Sequence, residues 1–305
     1  MLSGKQIVFL MFISSVVSCV KDAPIPPEKS CNDLPASPPI GWNYQIDSPY
    51  FMFPYFNPIN PDEILFQEKY SSKLFRYNLV TQQRSLIYSG TNLFQPKWGK
   101  NDWILLNPVG NIWKIKSDGD SLIILTNTHG DYAPEWNISG DKFCFYRSLG
   151  AFQKLIIADV NGTELETLNN FYTEQSSWQH SNLIITTSGM YGLHSIDPYT
   201  DLITVLLQQD EPTLESAVWL DNNVDILYTA ENGIFKMNYQ TKKITCILSS
   251  CSTRNYLFPT YSSISNKVIF QRLDQKAVNS STVEISSRLF MMNPDGTGES
   301  EITIH

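Results

Sequence analysis

Few side chains in this chain offer catalytic or metal-binding chemistry: there are four histidines and five cysteines among 305 residues. A zinc centre needs His, Cys or carboxylate ligands that converge, and close-spaced Cys or His pairs are its usual trace. His129, His180, His194 and His305 are widely scattered, falling in an inter-blade loop, an opposite-face hairpin, a strand and the terminus of the blade organisation that the repeats imply. No nucleophile elbow, His-Glu-x-x-His pair or phosphate-cradling glycine loop occurs. Asp118-Gly119-Asp120, Asn161-Gly162 and Asp295-Gly296 have oxygens that suit calcium, but they recur at one place in successive units, as hairpin turns do. We therefore expect no catalytic residue, no metal site and no cofactor.

The cysteines divide by context. Cys144 lies in an apolar run and reads as a buried, inert thiol. Cys246 and Cys251 are five residues apart, at a strand end and in the next loop, where an oxidising compartment would permit a disulfide. Cys31 falls in a proline-rich stretch and is left over.

Trp98, Trp136, Trp178 and Trp219 look at first like a carbohydrate-stacking set, until their spacing is measured. With Phe56 before and Tyr261 after them they form a series with steps of 42, 38, 42, 41 and 42 residues. A period of about 40–45 residues is the mark of a β-propeller blade array. Pro54, Pro96, Pro134 and Pro259 precede the aromatic in four units, and turn-forming clusters such as Asn137-Ile138-Ser139-Gly140-Asp141 come after it. Apolar runs come next, among them Ile64-Leu65-Phe66, Phe143-Cys144-Phe145 and Val268-Ile269-Phe270, then second runs ending at Asn78, Lys116, Asp159, Asp197, Asn238 and Asn293. Runs this short, rich in β-branched and aromatic residues, are strands.

The expected fold is all-β: a six-bladed propeller over residues 50–305 with four antiparallel strands per blade. An aromatic repeated at one place in every blade reads as packing between blades, not as a binding site. Trp42 to Asp47 reads as an extra strand beside the last blade, and Ile302-Thr303-Ile304 as that blade's final strand.

Residues 1–18 read as a signal peptide, with Lys5 ahead of an apolar run from Ile7 to Ile13 that is too short to span a bilayer as a helix. Val16-Val17-Ser18-Cys19 resembles the lipobox of bacterial lipoproteins, which implies lipidation of Cys19 after cleavage. Residues 19–49 then form a tether in which Pro24, Pro26, Pro27, Pro35, Pro38 and Pro39 favour extended backbone. Lys21-Asp22 resembles part of the surface-export tag of Bacteroidetes lipoproteins. The formal charge of −8, which becomes −9 without residues 1–18, and the lack of a basic cluster argue against a nucleic-acid partner.

Asp131-Tyr132-Ala133-Pro134-Glu135-Trp136-Asn137-Ile138-Ser139-Gly140-Asp141-Lys142-Phe143 resembles the core of the TolB-like, or PD40, propeller repeat. Leu289-Phe290-Met291-Met292-Asn293-Pro294-Asp295-Gly296-Thr297 is similar to its latter half. The resemblance covers about residues 50 to 305. TolB carries an α/β domain ahead of its propeller, where this sequence has the tether.

The expected function is that of a non-enzymatic envelope lipoprotein, anchored in the outer membrane by lipid alone and facing the periplasm or the cell surface. As a monomeric propeller it would bind or scaffold an envelope protein or peptide through its loop face and channel. The alternative is a propeller-type glycan lyase or hydrolase, which needs His, Arg, Lys and carboxylates converging on one face. Loops joining second to third strands, and loops joining blades, emerge on the same face, and binding residues concentrate on such loops. The candidates there are Tyr132, Tyr172, Glu174, Arg254 and Tyr256, with Asp274 and Lys276 in the long polar segment of unit six, Arg272 to Arg288, read as a surface loop.

Overall fold

Alternating apolar and polar residues bounded by Asn, Asp, Ser and Gly turns leave the backbone one low-energy course, the twisted antiparallel hairpin. The computed structural model describes residues 43–69, 72–90, 93–150, 152–169, 175–178, 183–188, 192–208, 214–220, 223–230, 233–249 and 253–305. Every regular element among them is a strand. Strands adjacent in sequence pair into six antiparallel blades.

Blade one contains Phe51–Phe56, Glu63–Glu68, Lys73–Asn78 and Arg84–Ser89, and blade two Lys97–Trp98, Trp103–Leu106, Trp113–Lys116 and Ile123–Ile124. Asp131–Trp136, Lys142–Leu149, Phe152–Asp159 and Glu164–Asn169 build blade three, and Gln175–Ser177, Ile184–Ser188, Gly192–Ile196 and Ile203–Leu207 blade four. Blade five has Leu214–Trp219, Asp225–Ala230, Gly233–Asn238 and Ile244–Ser249. Blade six has Arg254–Ser262, Lys267–Asn279, Thr282–Met292 and Ser300–Glu301. The first strands neighbour one another around the axis, with blade six meeting blade one.

Each repeat aromatic enters a core shared with the blade before it. Phe56 packs with Ile269 and Leu289 of blade six, Trp98 with Leu65 and Leu74, and Trp136 with Leu105 and Ile112. Trp178 packs with Cys144 and Leu155, Trp219 with Ile185 and Leu193, and Tyr261 against Leu227 and Ile234. All six interfaces are thus filled by the same position of the repeat. The inter-blade role read from the period is the observed one.

Blade six departs from the expectation. The segment from Arg272 to Arg288 is a hairpin, not a loop: residues 267–279 pair with 282–292 almost residue for residue, leaving Ser280 and Ser281 at the tip. The segment is polar because residues 276–280 stand exposed, and a ladder that satisfies its own backbone groups needs no apolar cover to stay extended. The extra strand is present as Asn43–Ile46, running parallel to Thr282–Ile285. The C-terminal strand is Ser300–Glu301, pairing with Met291 and Phe290, and ends just before the expected Ile302-Thr303-Ile304.

The ring closes through polar bridges between blades six and one. Ser287 donates to the Phe51 carbonyl, Arg288 donates to the Pro49 carbonyl at 2.6 Å and pairs with Asp47, and Tyr77 donates to the Thr303 carbonyl at 2.8 Å. Cys144 is fully buried; desolvation, with the nearby Glu135 charge second, pushes its thiol far above its ordinary range, so the inert-thiol reading fits its surroundings.

Trp136 is 1% exposed, so Trp136→Ala should open a cavity between blades two and three and lower stability by about 3–5 kcal/mol, read as the shift of the urea midpoint. His194, in the third strand of blade four, is held below its ordinary range of 6.5 by burial. The unfolded chain therefore binds more protons than the folded one just below pH 6.5, and stability falls as pH drops through that interval. His194→Gln should flatten this part of a stability–pH profile measured by urea unfolding.

Candidate functional site

The first strand of each blade lines the channel, and its local geometry is unusual. Three residues before the aromatic, Phe53, Gln95, Ala133 and Phe258 take left-handed backbone, with φ of 53°, 45°, 44° and 51°. Each is followed by the repeat proline. The ladder shifts register here, between Met52 and Tyr55, Tyr132 and Glu135, and Leu257 and Thr260. Proline is tolerated because the innermost strand has a free edge on the channel, and the bulge re-aims the residues after it.

Beyond the bulge stands a ring of six side chains, one per blade, each immediately before the repeat aromatic: Tyr55, Lys97, Glu135, Ser177, Val218 and Thr260. All six line one cavity of about 120 Å3 in the channel. Lys97 pairs with Glu135 Oε2 at 2.8 Å, and the Tyr55 hydroxyl donates to Glu135 Oε1 at 3.0 Å. The Lys97 ammonium also lies 5.1 Å from the centre of the Tyr55 ring. Blades one to three thus meet on a single carboxylate that is 2% exposed.

The other half of the ring is uncharged. Ser177 and Thr260 are 3% and 7% exposed, and among the described residues neither buried hydroxyl has a hydrogen-bond partner. The cavity reaches the turns that end the first strands, where Ile138 and Ile264 are exposed. At the bulge, Phe53 lies 4.5 Å from Phe258 and 6.0 Å from the exposed Phe94. Among the described residues no three His, Cys, Asp or Glu side chains converge as a metal site.

Of the residues singled out from sequence, Tyr132, Arg254 and Tyr256 lie near the starts of first strands, away from the cavity mouth, with Asp274 opposite Arg254. Arg254 and Asp274 are brought together as an ion pair, and Asp274 also accepts from Arg272 at 2.8 Å, which in turn reaches Glu299 at 3.0 Å. Tyr256 is buried at 4% exposure and meets Phe270 edge-on at 5.5 Å. Lys276 is exposed on the blade-six hairpin. Tyr132 stands in blade three, half-buried, with its ring 5.8 Å from that of Tyr146. Beside it Arg147 binds Asp131 through two nitrogens, at 2.6 and 3.1 Å, and Glu164 at 2.7 Å. Tyr172, Glu174, Cys19, Cys251 and His180 lie outside the described residues, and with Cys251 so does the Cys246–Cys251 pairing.

The sequence reading missed the ring before the aromatics. A signal was present: once the units are aligned, the residue preceding the aromatic is Tyr, Lys, Glu, Ser, Val and Thr in turn, the most varied chemistry beside the most regular position.

No protein-family model and no curated protein sequence matches the chain. Among solved structures it is similar to the putative TolB of Agrobacterium tumefaciens, with a TM-score of 0.63 and 14% identity over 76% of this chain and 88% of that one. It is similar to an oligogalacturonate lyase of Vibrio parahaemolyticus, with a TM-score of 0.56 and 10% identity over 84% and 78% of the two chains. A gluconolactonase of Xanthomonas campestris aligns with a TM-score of 0.59 and 7% identity over 72% and 82%. At such identities the likeness is one of fold.

Removing Lys97 would leave a buried carboxylate without its cation, a situation that costs about 3–5 kcal/mol. Lys97→Met should therefore destabilise by that order in urea unfolding, and Lys97→Met combined with Glu135→Leu should recover most of the loss.

Proposed function

We propose that this protein is a non-enzymatic envelope protein, anchored by a lipid on Cys19, whose propeller binds or scaffolds a protein or peptide partner through its loop face and channel. The observation that carries this reading is the state of the charges. On the loop face Arg147 is tied to Asp131 and Glu164, while Arg254 and Arg272 are tied to Asp274 and Glu299. In the channel both oxygens of Glu135 accept hydrogen bonds. Proton transfer needs an acid or base within reach of the reacting atom, whereas recognition profits from side chains already held in place. The paired charges, with the Tyr132–Tyr146 rings beside them, form a preorganised surface of the kind a partner reads.

The tether and its lipid would hold this surface at a membrane without inserting the propeller. Among the described residues no helix is long and apolar enough to cross a bilayer. The TolB-like repeat resemblance adds support for a role in the envelope.

Two measurements test the proposal. Cys19→Ala should move the protein from the membrane fraction to the soluble fraction, and unchanged membrane retention would refute the anchor. Cross-linking on intact cells should capture a defined partner, and joint Tyr132→Ala and Lys276→Glu substitution should reduce that capture about tenfold. Equal capture by the variant, with an unchanged urea midpoint, would remove the loop face from the proposal.

A further inference from the structure

We propose that the loop face is the side of the propeller turned toward the anchoring membrane, and that the strand Asn43–Ile46 is what turns it. The inference rests on the lipid-anchor reading and adds an orientation to it. A partner read by this face is then one held at the same membrane.

The strand is unusual in what holds it. All four of its side chains are exposed, so burial does little to fix its position. Its backbone does: the Asn43 N–H donates to the Ser281 carbonyl at 2.8 Å, and the Asp47 N–H to the Ile285 carbonyl at 2.9 Å. The Asp47 carboxylate pairs with Arg288, which also donates to the Pro49 carbonyl at 2.6 Å. A parallel ladder over Thr282–Ile285 is thus pinned at both ends.

What the ladder fixes is the point at which the chain from Cys19 meets the propeller. Asn43 stands opposite Thr282, next to the hairpin tip at Ser280 and Ser281. Asp274 is level with Arg254, where the first strand of blade six starts, and the hairpin runs on to Asn279, about 16 Å further. The attachment point therefore stands out beyond the loop face. Lys267, at the other end of the same 13-residue strand, follows a turn of the opposite face and lies about 40 Å from the tip.

Tether length turns this placement into an orientation. Residues 20–42 separate Cys19 from the strand. A segment of that length spans about 25–30 Å as a flexible coil and about 70 Å as an extended polyproline segment. The coil falls short of the opposite face. The extended form reaches it only by doubling back along blade six, and its six prolines stiffen it against that reversal. With the loop face toward the bilayer, neither stretching nor reversal is needed.

The test is energy transfer to acceptor-labelled lipids from a fluorescent non-natural residue, placed in turn at Ser280 on the hairpin tip and at Val80 in a turn of the opposite face. Both positions are exposed. The full chain is purified with its lipid, verified by mass spectrometry of Cys19, and reconstituted into lipid nanodiscs. Transfer should be stronger from Ser280 than from Val80. Gln45 is in phase with Asn43 and Asp47 along the strand, so Gln45→Pro removes a ladder donor. Combined with Asp47→Ala it should free the strand, lengthen the tether and shrink the difference, with a cooperative urea transition showing that the blades stay closed. Equal or stronger transfer from Val80 in a chain that carries the Cys19 lipid overturns the orientation and leaves the anchor standing. An undiminished difference in the folded double variant removes the strand from the inference. A Cys19 without lipid overturns the anchor reading and the orientation with it.

Discussion

One ring per blade, buried in five of the six and partly buried at Tyr261, packs against the preceding blade, and the rest of the structure depends on this contact. A four-stranded blade cannot bury its faces alone, so its stability comes from its neighbours. Phe56, Trp98, Trp136, Trp178, Trp219 and Tyr261 provide this contact at all six interfaces. The rings also fix where each first strand lies. Successive side chains of a strand point to opposite sides, so seating the aromatic in the core behind it turns the residue before it forward, along the channel. Tyr55, Lys97, Glu135, Ser177, Val218 and Thr260 owe their position to the ring that comes after each of them.

Closure of the circle imposes the second constraint, because blades six and one are joined by contacts far apart in sequence. Blade six meets it with longer strands and with a parallel strand from the other end of the chain, Asn43–Ile46. That strand is exposed along its length, so it is held by its ladder and by Asp47 on Arg288, not by burial of its side chains. Arg272 and Arg288 stand opposite each other on neighbouring strands, a repulsive arrangement relieved by Asp274 and Glu299 on one and Asp47 on the other. The charges of the hairpin thus belong first to closure. Arg254, at the start of the first strand, shares Asp274 with Arg272.

The architecture was legible because it is written six times, and a signal repeated at fixed spacing survives loss at any one place. Phe56 and Tyr261 stand where tryptophan is missing, and the period still holds. The polar partners were not legible in this way, since each is written once and depends on register. Tyr55 and Glu135 are 80 residues apart, and Arg254 and Asp274 are 20 apart across a hairpin that composition alone presents as a loop. Polar residues reveal exposure; they do not distinguish a solvated ladder from an irregular chain. The cavity was hidden for a third reason: its six lining positions share a place in the repeat but no chemistry, so alignment by similarity passes over them.

The lack of shared chemistry is itself informative. If the channel were only packed core, six equivalent positions would tolerate six similar apolar residues, as the positions one residue further on do. Instead one half carries a lysine, a carboxylate and a phenol joined across three blades, and the other half two unpartnered hydroxyls. A buried ion pair adds little net stability over apolar side chains of equal volume. Buried hydroxyls without partners subtract from it. Stability therefore does not account for this ring. The bonds it makes are directional instead: Lys97 and Tyr55 both reach Glu135, so blades one, two and three are tied at one carboxylate beside the apolar packing that the rings supply.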